Sequence, residues 1–256
     1  MSLLEVSHIK KIYTTRMGIE QVTALKDVHF SVEDGEFVAI MGESGSGKTT
    51  LLNILASLDV PTAGKAFIDG KDFSKLKDNE RAVFRRKNLG FVFQDFNLLD
   101  NFTIEDNIKL PLVLAGESHK TMDAKVKEVA KRLEIDALLS KYPYEVSGGQ
   151  KQRTAVARAL ITNPRILLAD EPTGALDSKA ATNLMRLFRE INKSGQTILM
   201  VTHSNVAASY ASRVMFIKDG EVFHQLYRGE KKRSEMLDDI CDAVTVLMRG
   251  GEESES

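Results

Sequence analysis

Residues 42–50 read Gly42-Glu43-Ser44-Gly45-Ser46-Gly47-Lys48-Thr49-Thr50, and this stretch decides the fold class. It fits the phosphate-binding pattern G-x-x-x-x-G-K-[ST]. The run before it, Glu36-Phe37-Val38-Ala39-Ile40-Met41, has the unbroken apolar character of a strand buried on both faces. The run after it, Leu51-Leu52-Asn53-Ile54-Leu55-Ala56, reads as a helix. The glycines let successive backbone N–H groups turn inward around a phosphate. Lys48 supplies a point charge for the outer phosphates, and the Thr49 hydroxyl is a hard oxygen ligand suited to Mg2+. The helix adds its positive N-terminal end. The expectation is a nucleoside triphosphate cradled by residues 42–50.

The 256 residues are enough for one large core or two modest subdomains. Charged residues make up 28% and hydrophobic residues 43%, as in ordinary soluble globular proteins. A net charge of -1 gives no global attraction to nucleic acid, and none is expected as a partner. The single cysteine, Cys241, allows no disulfide within the chain and suits a reducing compartment. It is expected to be a small buried residue on a helix. Residues 1–11 have no signal-peptide apolar core, and no apolar run approaches the ~20 residues that span a bilayer. A role at a membrane would need another chain to hold this one there.

Strands are expected at 3–6, 28–32, 37–41 and 64–70, with turns at Asp34-Gly35 and Asp69-Gly70. Residues 74–87 read as an exposed helix with Arg81, Arg85 and Arg86 on a solvated face. A short strand at 89–93 delivers Gln94. Helices follow at 105–114, broken by Pro111, and at 120–133. Apolar strands at 165–170 and 197–202 flank a helix at 178–193. Residues 213–218, Asp219-Gly220 and 221–226 form a hairpin signal. Beyond the basic cluster Arg228, Lys231, Lys232 and Arg233, Ser234 is a candidate helix cap. Met236, Leu237, Ile240, Val244, Leu247 and Met248 then recur at helical spacing. Two readings of that helix are open: docking on the parent domain, or contact with a membrane surface or partner.

Two further segments carry chemistry. Ile166-Leu167-Leu168-Ala169 runs into Asp170-Glu171, a buried strand whose tip presents carboxylates at the edge where ligands sit in open α/β folds. Asp170 would hold Mg2+, and Glu171 would accept the proton of an attacking water. In Val146-Ser147-Gly148-Gly149-Gln150, Ser147 is a good cap for a helix over 151–161. Two adjacent glycines are poor helix starters, but they suit close approach of the backbone to an anion.

The phosphate loop, Gln94, Ser147 to Gln150, Asp170-Glu171, Ala175-Leu176-Asp177 and His203 together resemble the ATP-binding-cassette ATPases in order and spacing, over roughly residues 3–226. The resemblance implies an α/β fold: a P-loop NTPase core with a mixed sheet, an antiparallel β subdomain and an α-helical signature subdomain at about 95–160. It divides the chain into an ATPase domain, 1–228, an amphipathic helix, 229–249, and a disordered tail, 250–256. It further implies two copies packed head to tail around two ATP molecules. Each ATP would lie on Gly42, Glu43, Ser44, Gly45, Ser46, Gly47, Lys48, Thr49 and Thr50 of one copy, under Ser147, Gly148, Gly149 and Gln150 of the other. Thr49, Gln94 and Asp170 would hold the Mg2+. Glu171 and His203 would be catalytic, with His203 at the γ-phosphate. Asp177 would cross the dimer interface. Tyr13 matches the aromatic that stacks on adenine, a contact worth on the order of 1–3 kcal/mol by analogy with base stacking elsewhere. Val146 replaces the commoner Leu and keeps an apolar side chain there.

Asn97-Leu98-Leu99-Asp100, Leu110-Pro111-Leu112 and residues 147–153 and 169–177 look like the lipoprotein-release and macrolide-efflux group. Val222 to Gly229 and the following helix resemble the Bce type more specifically. Those are ATPase subunits of bacterial transporters that resist bacitracin-like and lantibiotic peptides. This implies a peripheral subunit on the cytoplasmic face of the bacterial membrane, bound to a ten-helix integral-membrane permease with which a sensor histidine kinase associates. A lipoprotein-release or macrolide-efflux ATPase is one alternative, and a soluble cassette acting on ribosomes or DNA is another. The ribosomal type carries two cassettes, whereas this chain has one phosphate loop and one signature. The chromosome type needs a long coiled coil where about a hundred residues separate Thr50 from Ser147. Glu171 and His203 argue against a switch that does not hydrolyse.

Overall fold

The continuous apolar runs lie side by side in one half of a ten-stranded sheet. The structure is a computed structural model that describes residues 2–14 and 21–252. Its strands are β1 (Ser2–Thr14), β2 (Gln21–Glu33), β3 (Phe37–Met41), β4 (Ala63–Ile68), β5 (Lys71–Asp72), β6 (Leu89–Val92), β7 (Ile166–Asp170), β8 (Thr197–Val201), β9 (Arg213–Lys218) and β10 (Glu221–Tyr227). The order across the sheet is β5-β4-β1-β2-β10-β9-β3-β8-β7-β6. From β9 to β6 the neighbours are parallel. From β5 to β2 they are antiparallel. The two regions join where β10 runs parallel to β2 at Glu221 and Asp27.

Alternation of side chains explains why the central strands show no polar face. Phe37, Ala39, Met41, Leu167, Ala169, Ile198, Met200, Val214 and Phe216 point into one core. Their neighbours Val38, Ile40, Ile166, Leu168, Leu199, Val201, Met215 and Ile217 point into a second core on the opposite face. A strand covered on both sides must be apolar throughout. The first core is covered by α3 (Ile104–Leu114), α4 (His119–Arg132), α5 (Gly148–Leu160), α6 (Ser178–Lys193) and α8 (Arg233–Glu252). The second is closed by α1 (Lys48–Leu55) and the inner faces of β1, β2 and β4. Two short helices, α2 (Asp78–Asn88) and α7 (Asn205–Ala208), complete the chain.

Several expectations change. Strands β1 and β2 each extend over 13 residues, well beyond the apolar stretches that announced them, because their outer parts pair while exposed. Pro111 does not break α3. It falls in the last turn, so one ladder bond is lost, and the Ala115 N–H closes the helix on Pro111 O at 3.0 Å. The basic face of α2 is not simply solvated: Arg85 donates to Ser57 O at 2.8 Å and Arg86 to Leu114 O at 3.0 Å.

The C-terminal helix is docked on the first core through fully buried Met236 and Ile240, with Val244 and Leu247 packed beside them. Ser234 does not cap it. The helix begins one residue earlier, where the Lys232 N–H donates to Glu235 Oε2 at 2.6 Å, the carboxylate half of a capping box. Cys241 is exposed rather than buried, because one step past Ile240 turns it about 100° from the docked stripe. Residues 250–252 of the expected tail belong to α8, and residues 253–256 lie outside the described residues.

Ile240→Ala should lower unfolding free energy by about 2–4 kcal/mol, as for other buried aliphatic truncations. Exposed Asp238→Ala should change it by less than about 0.5 kcal/mol. Urea titrations of the two variants decide this, and equal midpoints would contradict a docked helix.

Candidate nucleotide-binding site

Two positions in the turn from β3 into α1 have no room for a side chain. A Cβ on Gly42 would lie 2.1 Å from Ile217 O, and one on Gly47 would lie 2.5 Å from Ala24 O. Gly47 also takes φ 102°, in the left-handed region, and is the N-cap of α1. It offers no side-chain cap, and the first turn holds no acidic residue. By contrast, Thr103, Ser118, Ser147 and Asp177 cap α3, α4, α5 and α6 with side-chain oxygens. The first N–H groups of α1 are therefore left for an anion. Ser46 Oγ is buried in the same loop and has no hydrogen-bond partner among the described residues. Lys48 Nζ folds back to donate to Gly42 O at 2.8 Å and Glu43 O at 2.7 Å. Thr49 is exposed one residue further on.

The parallel register of β7 and β8 brings the other reactive groups to this edge. Asp170 pairs with Val201, and the Glu171 N–H donates to Val201 O at 2.9 Å. Glu171 adopts φ 44°, a left-handed conformation that costs a non-glycine residue roughly 1–2 kcal/mol. Its carboxylate then meets His203: Oε1 is 2.9 Å from Nδ1, and Oε2 accepts from the His203 N–H at 3.2 Å. Burial, then the negative charge of Glu171, raises the Asp170 carboxyl above its ordinary range, with Lys48 opposing. Burial lowers the Lys48 ammonium against the pull of Glu171, Asp170 and Glu43. Lys48, Asp170 and Glu171 thus share one electrostatic site.

Gln94 follows β6 and lies on Gly174, where an added Cβ would sit 3.0 Å from Gln94 Cδ. Tyr13 lies at the far end of β1 and is 42% exposed. Its hydroxyl donates to Asp59 Oδ2 at 2.8 Å, and Lys11 Nζ stands 4.8 Å from the ring centroid. Burial and Asp59 raise its pKa, while a hydrogen bond involving Thr50 lowers it, which places the phenol beside the phosphate loop. Thr49, Gln94 and Asp170 all offer oxygen donors, the chemistry a Mg2+ ion takes.

Ser147 to Gln150 stand elsewhere. Ser147 Oγ accepts the Gln150 N–H at 3.4 Å, and the Ser147 N–H donates to Gln150 Oε1 at 2.9 Å. Asp177 Oδ1 accepts from Lys179 and Ala180 N–H at 2.9 and 2.8 Å. These two helix starts line one groove of about 240 Å3, with Gly149 close enough that a Cβ would lie 3.4 Å from the Ala180 Cβ. Gly148 flanks it. Residues 42–46 line a different cavity, of about 150 Å3, with Ile217, Lys218 and Leu247. The two share no lining residue.

Two positioning residues escape sequence reading. Fully buried Gln152 donates to Pro172 O at 2.8 Å and Phe93 O at 3.3 Å, tying the segment before Gln94 to the turn after Glu171. Arg158 donates to the carbonyls of Phe96 and Asn97, both in positive-φ conformations. The available signal was a glutamine and an arginine interrupting the apolar side of α5.

Because folding raises the Asp170 carboxyl, its contribution to stability is fully present below the ordinary carboxylate value and is lost as pH rises from there through the raised folded-state value. Asp170→Asn should therefore raise the melting temperature of the nucleotide-free chain at neutral pH. The gain should shrink as pH falls towards the ordinary carboxylate value and be gone below about 4. Thermal unfolding across that range tests the sign, and an unchanged or lowered melting temperature at neutral pH would refute it.

Comparison with known proteins places this geometry. Residues 25–174 match the family model described as "ABC transporter". The chain is 51% identical over 247 residues to the ABC transporter ATP-binding protein YxdL of Bacillus subtilis, covering 96% of this chain and 95% of that one. It is 50% identical over 248 residues to the bacitracin export ATP-binding protein BceA of Halalkalibacterium halodurans, covering 96% and 97%. The macrolide export ATP-binding/permease protein MacB of Salmonella typhimurium is 41% identical over 93% of this chain, which spans 36% of that longer protein. A solved dimeric post-hydrolysis structure of the ATP-binding cassette MJ0796 bound to ADP and Pi superposes with a TM-score of 0.79 at 41% identity, covering 88% of this chain and 98% of that one.

Proposed function

The chain belongs to the ABC transporter family of ATPases, and on that premise we propose that it powers a bacterial exporter that protects against bacitracin-like peptides. The observation that carries the ATPase chemistry is the convergence of Lys48, Asp170, Glu171 and His203 at one sheet edge. The peptide-resistance reading rests on the end-to-end likeness to the bacitracin export protein. Macrolide export is the weaker reading, because the likeness there is lower and spans a third of that protein.

The loop N–H groups and Lys48 bind and orient the β- and γ-phosphates. Tyr13 supports the base. Glu171, held by His203, takes the proton of the attacking water, and His203 turns its exposed ring towards the γ-phosphate. Thr49, Asp170 and Gln94 would hold Mg2+, which when bound neutralises phosphate charge. The second copy completes the site with Ser147, Gly148, Gly149 and Gln150, and Asp177 stands at the same surface. Ser147 already accepts from Gln150, so its hydroxyl proton is free to donate to an incoming phosphate.

Among the described residues no helix is long and apolar enough to cross a membrane. We assign attachment at the cytoplasmic face to a permease, and any sensor histidine kinase would reach this chain through it. A groove of about 490 Å3, walled by Phe91, Phe93, Leu110, Pro111 and Leu114 with Arg85 and Arg86 beside it, fits a cytoplasmic segment of that permease. It reaches Asn97 and Arg158, and through them the loop that carries Gln94.

Glu171→Gln should bind ATP normally but turn over ~10²–10⁴-fold more slowly. Single-turnover phosphate release measures this, and wild-type turnover would remove Glu171 from its role. Ser147→Arg should bind ATP as a monomer yet fail to dimerise with it. Light scattering that finds ordinary ATP-dependent dimers of the variant would reject the shared site.

A further inference from the structure

Away from the nucleotide site, β1 and β2 expose His8, Asp27 and His29 on one face, with one ligand atom from each within 4.8 Å of the others. Among the described residues this is the one group of three such ligands so closely set. Asp27 and His29 alternate with buried Val28 and Phe30 and so share the outer face of β2. His8 reaches them through a bulge. Val6 pairs with Phe30 and Ile9 with Val28, so three steps along β1 match two along β2. Ser7 and His8 therefore both stand opposite His29, and His8 takes φ 51°. The bulge is accommodated by the next strand, where a Cβ on Gly64 would sit 2.2 Å from His8 O. His8 Nδ1 lies 2.8 Å from Asp27 Oδ1, and the two imidazole centroids are 5.3 Å apart.

We propose that His8, Asp27 and His29 form a surface site for a divalent transition metal of the zinc class. Two imidazole nitrogens and one carboxylate oxygen suit Zn2+, Ni2+ or Cu2+ rather than Mg2+ or Ca2+. Ligands about 2.0–2.1 Å from a tetrahedral ion stand about 3.3 Å from one another, which rotation of exposed side chains reaches from the present spacing. Water completes the coordination. The ligands sit on paired strands rather than on a loop, so little ordering is needed before binding, and the metal staples β1 to β2 five residues from Tyr13.

Zn2+ alone, titrated calorimetrically into the metal-free chain at neutral pH, should show one site that His29→Ala weakens at least ~10-fold. His8→Asn, which tolerates the left-handed backbone, should do the same from the other strand. Both variants should keep wild-type ATP binding, which reports an intact fold. Zn2+ should raise the melting temperature of the wild type and not of the variants. If the wild type and either ATP-binding variant titrate alike, the site is absent.

Discussion

The backbone approaches at Gly42 and Gly47 are the constraint on which the rest of the molecule depends. At Gly42 the loop presses on β9, and at Gly47 it presses on β2, so it is wedged between the parallel sheet and the antiparallel layer. That wedge holds the start of α1 pointing along the sheet edge where β7 and β8 end. The uncapped helix terminus, Lys48 folded over its own loop and the carboxylates beyond β7 are positioned relative to one another because this turn cannot relax outward. A methyl group at either glycine would meet a carbonyl oxygen, which has nowhere to move without disrupting a strand.

The Glu171–His203 contact shows how parallel register brings side chains distant in sequence together. The two residues are far apart in sequence and follow different strands. Once Asp170 pairs with Val201, the residues just beyond each strand must be neighbours. The left-handed turn at Glu171 then directs its carboxylate to His203. Strained backbone of this kind clusters at functional sites rather than in cores, which is why it marks Glu171 as a candidate.

Much of this was legible in the sequence where one physical signal dominated. The strand at Phe37–Met41 and the helix at Ser178–Lys193 have the bounds read from periodicity, because double burial and an apolar stripe leave little ambiguity. The tight turn between β3 and α1 was legible because close backbone approach at Gly42 and Gly47 selects glycine. Where local rules compete with tertiary contact, reading failed. A proline in a last turn costs too little to end α3, and Glu235 outbids Ser234 as a cap. Cys241 is exposed because the docking angle of α8 comes from partners distant in the chain. The tie from Gln152 to Pro172 and the bulge at His8 depend on register, which no single stretch of sequence encodes.

The proposed sharing of the site, with Ser147 and Gly149 of one copy facing the phosphate loop of another, has a kinetic consequence. A site assembled from halves on different copies is second order in subunit. At low concentration, free copies would rarely meet, and turnover would rise with the square of their number. Holding two copies on one membrane complex replaces that encounter with an intramolecular one at an effective concentration in the millimolar range. Idle subunits would then waste little ATP, and consumption would follow the number of assembled complexes rather than the amount of this protein in the cell.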